Sequence, residues 1–118
     1  MNNNLLFKIC QYNSAKKMLA TYQKTIMETI CEAIRDVIPD IEWRLGNPEN
    51  QNLMIFYSED RAKKFSFNDE AYDNYWRLSS VIESVFPALE FSVGDNYLYV
   101  SPEERNEIIK RLKKLRGE

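Results

Sequence analysis

Length, composition and charge already narrow the classes of protein to which this chain can belong. Its 118 residues are 44% apolar and 29% charged, with three Gly and four Pro. Such a composition is typical of one ordered globular domain and excludes multi-domain assemblies and disordered chains. Histidine is absent, so catalytic triads of the Ser-His-Asp or Cys-His type are excluded. We therefore expect a single domain over residues 1–118.

The cysteines and the N-terminal segment exclude further classes. Cys10 and Cys31 are the only thiols and do not form a CxxC pair. A zinc site would lack two ligands, so we predict neither a metal nor a cofactor. The apolar run at residues 5–7 ends at Lys8, far short of the roughly 20 residues of a membrane span. The sequence therefore predicts a soluble, cytoplasmic protein with no membrane partner.

The most regular helical pattern covers residues 14–38. Apolar side chains recur there at steps of three and four, which predicts one buried helical stripe. Ser14 is the expected N-cap, and Pro39 disfavours a helical Ile38 and so marks the end. Residues 5–11 fit an upstream extension of this helix, or a separate short helix or strand, and we favour helix. The predicted stripe consists of Met18, Leu19, Tyr22, Ile26, Ile30, Ala33, Ile34 and Val37.

A different period, that of β-strands, appears in residues 41–67. Residues 41–45 alternate apolar and charged side chains, as on a strand with one buried face. The apolar run at 53–57 predicts a central strand covered on both faces. Residues 64–67 predict a third strand that closes a meander, after a polar turn at 59–61.

Local signals in the last fifty residues predict two helices around a hairpin. The first helix starts at Asn68, a capping residue followed by acids, and ends before Pro87. The hairpin covers residues 88–100, with turn residues at 94–96. Residues 101–104 combine a capping box with Pro at the first helical position. The expected buried side chains are Ala71, Tyr75, Leu78, Ile82 and Val85 in the first helix, and Ile108, Ile109, Leu112 and Leu115 in the last.

The predicted order of elements is α-β-β-β-α-β-β-α. Helices separated by hairpins predict an α+β fold, a two-layer sandwich in which helices pack on an antiparallel sheet of about five strands. Several unrelated families have roughly this order, and among them it resembles the specialised chaperones of type III secretion. The resemblance rests on element order without a shared motif, and so implies little about function.

Acidic residues around the first predicted strands match a nuclease pattern in part. Asp40 precedes one strand, Glu59-x-Arg61 follows the next, and Glu28 and Glu32 lie on the preceding helix. This arrangement resembles the core of PD-(D/E)xK nucleases, in which carboxylates hold Mg²⁺ and a lysine positions the attacking water. Arginine stands where that lysine belongs, so we interpret Asp40 as a helix end and Glu59 as a turn. No catalytic residue is predicted.

The net charge of −2 conceals an uneven distribution. Residues 1–24 carry four Lys and no acidic residue, residues 25–104 carry sixteen acidic against six basic residues, and residues 105–118 carry six basic and two acidic residues. An acidic surface would steer a basic partner. If the basic ends fold back onto the acidic centre, the charges instead neutralise each other.

Aromatic and acidic side chains coincide on the helix predicted after Asn68. Its three aromatic residues cannot all lie on the buried stripe, and three acidic residues neighbour them. Aromatic anchors surrounded by charges are typical of protein interfaces. The predicted partner-binding residues are Glu59, Asp60, Asp69, Glu70, Asp73 and Trp76.

Together these features predict a small non-catalytic interaction protein. The specific expectation is an acidic inhibitor, of the immunity or anti-defence type, that occludes a basic surface of a partner protein such as a nucleic-acid-processing enzyme. One alternative is a homodimeric escort, like a secretion chaperone, that binds an extended client. An apolar dimer surface would favour this escort. The other alternative is nucleic-acid binding by the basic C-terminal helix, although the helix dipole also favours bases at that end.

Overall fold

The computed structural model describes residues 3–46, 53–64, 73–90, 92–96 and 98–118, which form a mixed α+β fold. The helices are α1 (Asn3–Ile34), α2 (Glu59–Lys64), α3 (Leu78–Val85) and α4 (Pro102–Leu115), with a 3₁₀ turn at Pro87–Leu89. The strands are β1 (Glu42–Leu45), β2 (Met54–Tyr57), β3 (Trp76–Arg77), β4 (Val93–Asp95) and β5 (Tyr99–Val100).

Helix α1 is longer at its N-terminus than the sequence predicts. It begins at Asn3 rather than after Ser14, and it ends at Ile34 rather than at Ile38. Residues 5–11 are helical, as favoured, and they belong to the same helix because neither Pro nor Gly interrupts it. The N–H group of Ile38 still donates to the carbonyl of Ile34, which closes the last turn.

The two halves of α1 differ in burial. Residues 3–22 are all exposed, and Gln23 is the first buried residue. We call residues 3–22 the arm and the remainder of the chain the body. At 1.5 Å per residue the arm is a rod about 30 Å long. Of the predicted buried stripe, Ile30 and Ile34 are buried, whereas Met18, Leu19 and Tyr22 are exposed.

Strand β2 is the centre of a three-stranded sheet, as its unbroken apolar sequence predicts. It pairs antiparallel with β1, where Trp43 lies opposite Phe56, and parallel with β4, where Met54 lies opposite Val93. Strands β3 and β5 form a separate antiparallel pair. In the described part of the chain, two small sheets of three and two strands therefore stand in place of the predicted antiparallel sheet of five strands.

The second half of the chain departs from the predicted order of elements. Lys64, expected to begin a strand, is the last residue of α2, and residues 65–72 lie outside the described part of the chain. Within the helix predicted from Asn68, the described residues 73–77 are not helical and α3 begins at Leu78, and the strands of the predicted hairpin belong to different sheets. Strands of two or three residues are too short to display the alternation on which the prediction depends.

Helix α4 begins as predicted and positions the elements around it. The hydroxyl of Ser101 accepts from the N–H of Glu104 at 3.2 Å, and the Glu104 carboxylate accepts from the N–H of Ser101 at 2.9 Å. This capping box satisfies two N–H groups that the helix leaves unpaired. Ile108 and Leu112 are buried as expected, but Leu115 is exposed.

The core lies between α1, the three-stranded sheet, α3 and α4. Apolar side chains from all four contribute to one cluster, so the C-terminal half of α1 is an integral part of the body. The largest fully buried side chains are Phe56, Met27, Ile34, Ile38, Ile41, Leu78, Ile82, Leu98, Ile108 and Leu112.

Candidate protein-interaction site

Trp76 lies on the short sheet formed by β3 and β5. Its backbone pairs with that of Val100, whose side chain is buried, whereas the Trp76 side chain is 47% exposed. The guanidinium carbon of Arg105, on α4, lies 4.3 Å from the centre of the Trp76 ring. This cation–π contact orients the ring while one part of it stays accessible, as an interface anchor requires.

A recess of about 560 Å³ adjoins the Trp76 ring. Asp73 is exposed at this recess, and Pro102 lines it from the first position of α4. Glu103, the next residue of α4, is also exposed. Exposed carboxylates beside an aromatic ring match the interface composition predicted from sequence, although Trp76 projects from a strand and not from a helix.

The other predicted pair, Glu59 and Asp60, forms the first turn of α2 and not the expected turn. The hydroxyl of Ser58 accepts from the N–H of Arg61 at 3.2 Å. The carboxylate of Asp40 accepts from the Ser58 hydroxyl at 2.6 Å and from the N–H of Asp60 at 3.1 Å. These two hydrogen bonds, led by that of Ser58, hold the pKa of Asp40 below its ordinary value. Asp40 therefore caps α2, which is a structural role.

Arg61 connects α2 to the β5–α4 junction. Its side chain, 11% exposed, forms a bidentate ion pair with Glu104 and donates to the carbonyl of Tyr99 at 2.8 Å and to that of Val37 at 3.3 Å. Burial alone would raise the pKa of Glu104, but the hydrogen bonds from Arg61 and Ser101, together with the charge of Arg61, outweigh it and lower that pKa. Arg61, compared above with a nuclease lysine, instead holds the body together.

Two elements that carry predicted residues, α2 and β3, contact the same junction. Arg61 of α2 donates to Tyr99, and Trp76 of β3 contacts Arg105, so both elements meet the segment where β5 leads into α4. The two acids of α2 are exposed, and Asp60 is paired with Lys64 at 3.1 Å. Asp69 and Glu70 lie outside the described residues.

In the folded chain, some of the charges that are segregated in the sequence form ion pairs and others stay exposed. Arg111, near the basic C-terminus, pairs with Asp36 and Glu107, and Arg116 pairs with Glu118. In contrast, the four lysines of residues 1–24 lie on exposed positions of α1, and the ammonium group of Lys16 lies 6.0 Å from the centre of the Tyr12 ring.

The apolar surface of the arm was missed by the sequence analysis. Eight large apolar side chains of the arm are between 42% and 64% exposed. They are Leu5, Leu6, Phe7, Ile9, Tyr12, Met18, Leu19 and Tyr22. Exposed apolar surface of this extent marks interaction sites. The available signal was the continuation of the apolar period upstream of Ser14, where no second apolar element was predicted to cover it.

Within the described ranges, no group of three or more Cys, Asp or Glu side chains is placed to hold a metal ion. Among the helices described, none combines the length and apolar character of a membrane span. Comparison of the chain with family models, curated proteins and solved structures finds no match.

Proposed function

We propose that this protein acts without catalysis, as an inhibitor that binds a basic surface of a partner protein through the Trp76 recess. The observation that carries the proposal is the half-exposed Trp76 ring, fixed by Arg105 beside the exposed carboxylate of Asp73. Oriented aromatic side chains supply most of the binding energy in protein interfaces, and carboxylates around them increase the rate of encounter with a basic partner.

Glu59 and Asp60 extend the proposed acidic surface, and Asp69 and Glu70 stay predicted members of it. Their role is to steer the partner, because exposed charges change the association rate more than the affinity. Pairing with Lys64 reduces the contribution of Asp60. Asp73, which is exposed at the recess, is therefore the steering residue with the largest expected effect.

Affinity capture from the source cell, followed by binding measurements on the purified partner, tests this proposal. Trp76→Ala should weaken binding by about 30-fold or more, as for a central anchor. Asp73→Lys should slow association at low salt and have less effect at high salt. The matched control is Glu42→Lys, an exposed charge reversal on β1 in the other sheet. Wild-type affinity and salt dependence in both recess variants would refute the proposal.

The exposed arm favours a second candidate, the homodimeric escort. An escort needs an apolar surface for a second copy and a surface for an extended client. The arm offers the first, and the edge of the three-stranded sheet at β1 offers backbone groups for the second. A synthetic extended client peptide should bind the escort tightly, whereas the inhibitor should require a folded partner. Binding of the folded partner alone would exclude the escort.

A further inference from the structure

One side of the arm forms a continuous apolar face that does not contact the body core. Helical positions recur every 3.6 residues, so Leu5, Tyr12 and Leu19, seven residues apart, lie on the same side. Ala15 lies in the middle of this side. We call this side the free face, and its apolar residues are Leu5, Tyr12, Ala15, Met18, Leu19 and Tyr22. The centre of the core-facing side, at Met27 and Ile34, lies about a quarter turn around the helix from the centre of the free face, and Ile30 of the core points in the same direction as Tyr12.

The free face leads into an apolar groove on the body. Leu19 and Tyr22 of the arm line a recess with Ile26 and Leu89. The latter two also line a second recess of about 340 Å³, together with Thr29. This second recess is bounded on its far side by Phe86, Ala88 and Leu115. Exposed apolar side chains, with Lys8 among them, therefore extend from the arm to the 3₁₀ turn and the end of α4.

The sequence along this surface has the spacing of a coiled-coil seam. Residues on it recur alternately three and four positions apart, the pattern that keeps one side of a helix against a partner helix. The seam residues are Leu5, Lys8, Tyr12, Ala15, Leu19, Tyr22, Ile26 and Thr29. The last two belong to the groove, so arm and groove form one seam.

We propose that the free face binds the same face of a second copy of this chain, with the two α1 helices antiparallel. In this register, Leu19 of each copy packs on Ala15 of the other, a large side chain against a small one, and Tyr12 packs on Tyr22. Leu5 then lies level with Thr29 of the other copy, inside its groove. The surface is self-complementary, as a two-fold interface requires.

The apolar area is sufficient for a specific dimer. Aromatic side chains bury about 150–250 Å² each, so the five large residues of the free face, all more than 40% exposed, offer on the order of 500 Å² per copy. Two copies together with their grooves would bury about 1,200 Å², which is the lower end of specific protein interfaces. The interface is therefore large enough for a reversible dimer.

Charge is compatible with this pairing. Lys17 and Lys24 lie on the side of α1 opposite the free face, so they stay in water in the dimer. Lys8 is on the seam and comes level with Ile26 of the other copy, where its stem covers apolar surface. Lys16 flanks the seam and approaches its equivalent in the other copy. This last pair opposes association, so we expect added salt to tighten the dimer.

Sedimentation equilibrium of the full chain tests the proposal. The wild-type protein should show twice the 14.0 kDa mass of one chain. Leu19→Glu and Tyr12→Glu should each weaken association by about 30-fold or more, because each places a carboxylate in the buried seam. The matched control is Leu6→Glu, which makes the same change at another exposed leucine of the arm, outside the free face. It should remain dimeric.

Three results would overturn the proposal. They are a monomer at all concentrations, equal dissociation by Leu6→Glu and Leu19→Glu, and a monomer whose arm instead binds anionic lipid vesicles. Circular dichroism of each variant shows whether the body is folded. Tyr12 is 64% exposed, so its substitution should leave the body folded. Trp76→Ala should leave the mass unchanged, so failure of the dimer and failure of the inhibitor proposal are distinguishable.

Discussion

The two halves of α1 have similar sequence patterns and different surroundings. In the C-terminal half, Met27, Ile30 and Ile34 pack against the sheet and the other helices, whereas every residue of the arm is exposed. Both halves repeat apolar side chains every three or four positions. The comparison teaches that such a period predicts a helix with an apolar face but leaves open whether its own chain or another molecule covers that face.

The stability of the fold and the association of two copies should therefore depend on different regions of the molecule. The body contains the buried cluster and the contacts of Arg61. The arm has apolar residues that gain cover only through association.

The largest effect is expected from paired Phe→Ala substitutions in body and arm. Phe56 is fully buried in β2, so Phe56→Ala should reduce the free energy of unfolding by about 3–5 kcal/mol. Phe7 is 64% exposed, so Phe7→Ala should change it by less than about 0.5 kcal/mol in the monomer. Urea denaturation at a concentration below dimerisation measures both. Similar losses would contradict the separation.

Removal of the Arg61 guanidinium should have the next largest effect. Arg61→Ala leaves the carbonyls of Tyr99 and Val37 and the Glu104 carboxylate without their donor, and should cost about 2–3 kcal/mol. Lys64→Ala, which removes an exposed ion pair in the same helix, is the control and should cost less than about 0.5 kcal/mol. Arg61→Lys should recover only part of the loss, because lysine lacks the planar fork. Thermal unfolding that ranks Lys64→Ala with Arg61→Ala would contradict the role of Arg61.

Acid should weaken the body by a smaller amount. The pKa values of Asp40 and Glu104 are lowered in the folded state, so the unfolded chain binds more protons in acid. The stability that these carboxylates contribute is complete at neutral pH and is lost as pH falls below about 5 and through the lowered pKa values. Ser58→Ala, which removes the main hydrogen bond to Asp40, should flatten this dependence. An unchanged slope of denaturation midpoint against pH would exclude that assignment.

The smallest effect concerns Lys16 in the proposed dimer. Lys16→Gln removes like-charge repulsion between copies and should strengthen association by a few tenths of a kcal/mol, mostly at low salt. Lys17→Gln, on the opposite side of α1, should have no such effect. Dissociation constants at two salt concentrations compare the variants, and equal changes would argue against the proposed register.

Local signals were the part of the fold that the sequence could predict. The capping box at Ser101 and the central position of β2 depend on residues close in sequence, and both are confirmed. The first turn of α2 was misread as a turn, although acids at its start and Lys64 at its end follow the helix dipole. Trp76 was placed on a helix because a two-residue strand leaves no periodic signal.

Contacts between distant residues could not be predicted. Arg105 covers the Trp76 ring, and Arg61 reaches Glu104, across separations in sequence that no spacing rule connects. Trp76 and Asp73 meet at one recess, but their distance from Glu59 depends on packing around the β5–α4 junction. The exposure of the arm could not be predicted for the same reason, because it depends on whether elements distant in sequence pack against it.

The distance between two copies of Cys10 tests the arm as an antiparallel dimer interface most directly. Cys10 is exposed, whereas Cys31 is buried and burial raises its pKa to about 11, so a spin label should attach only to Cys10. Helix geometry predicts a separation of about 30 Å for the antiparallel dimer and about 20 Å for a parallel one. A dipolar electron resonance distance near 30 Å would support the account. No dipolar signal, or a distance near 20 Å, would contradict it.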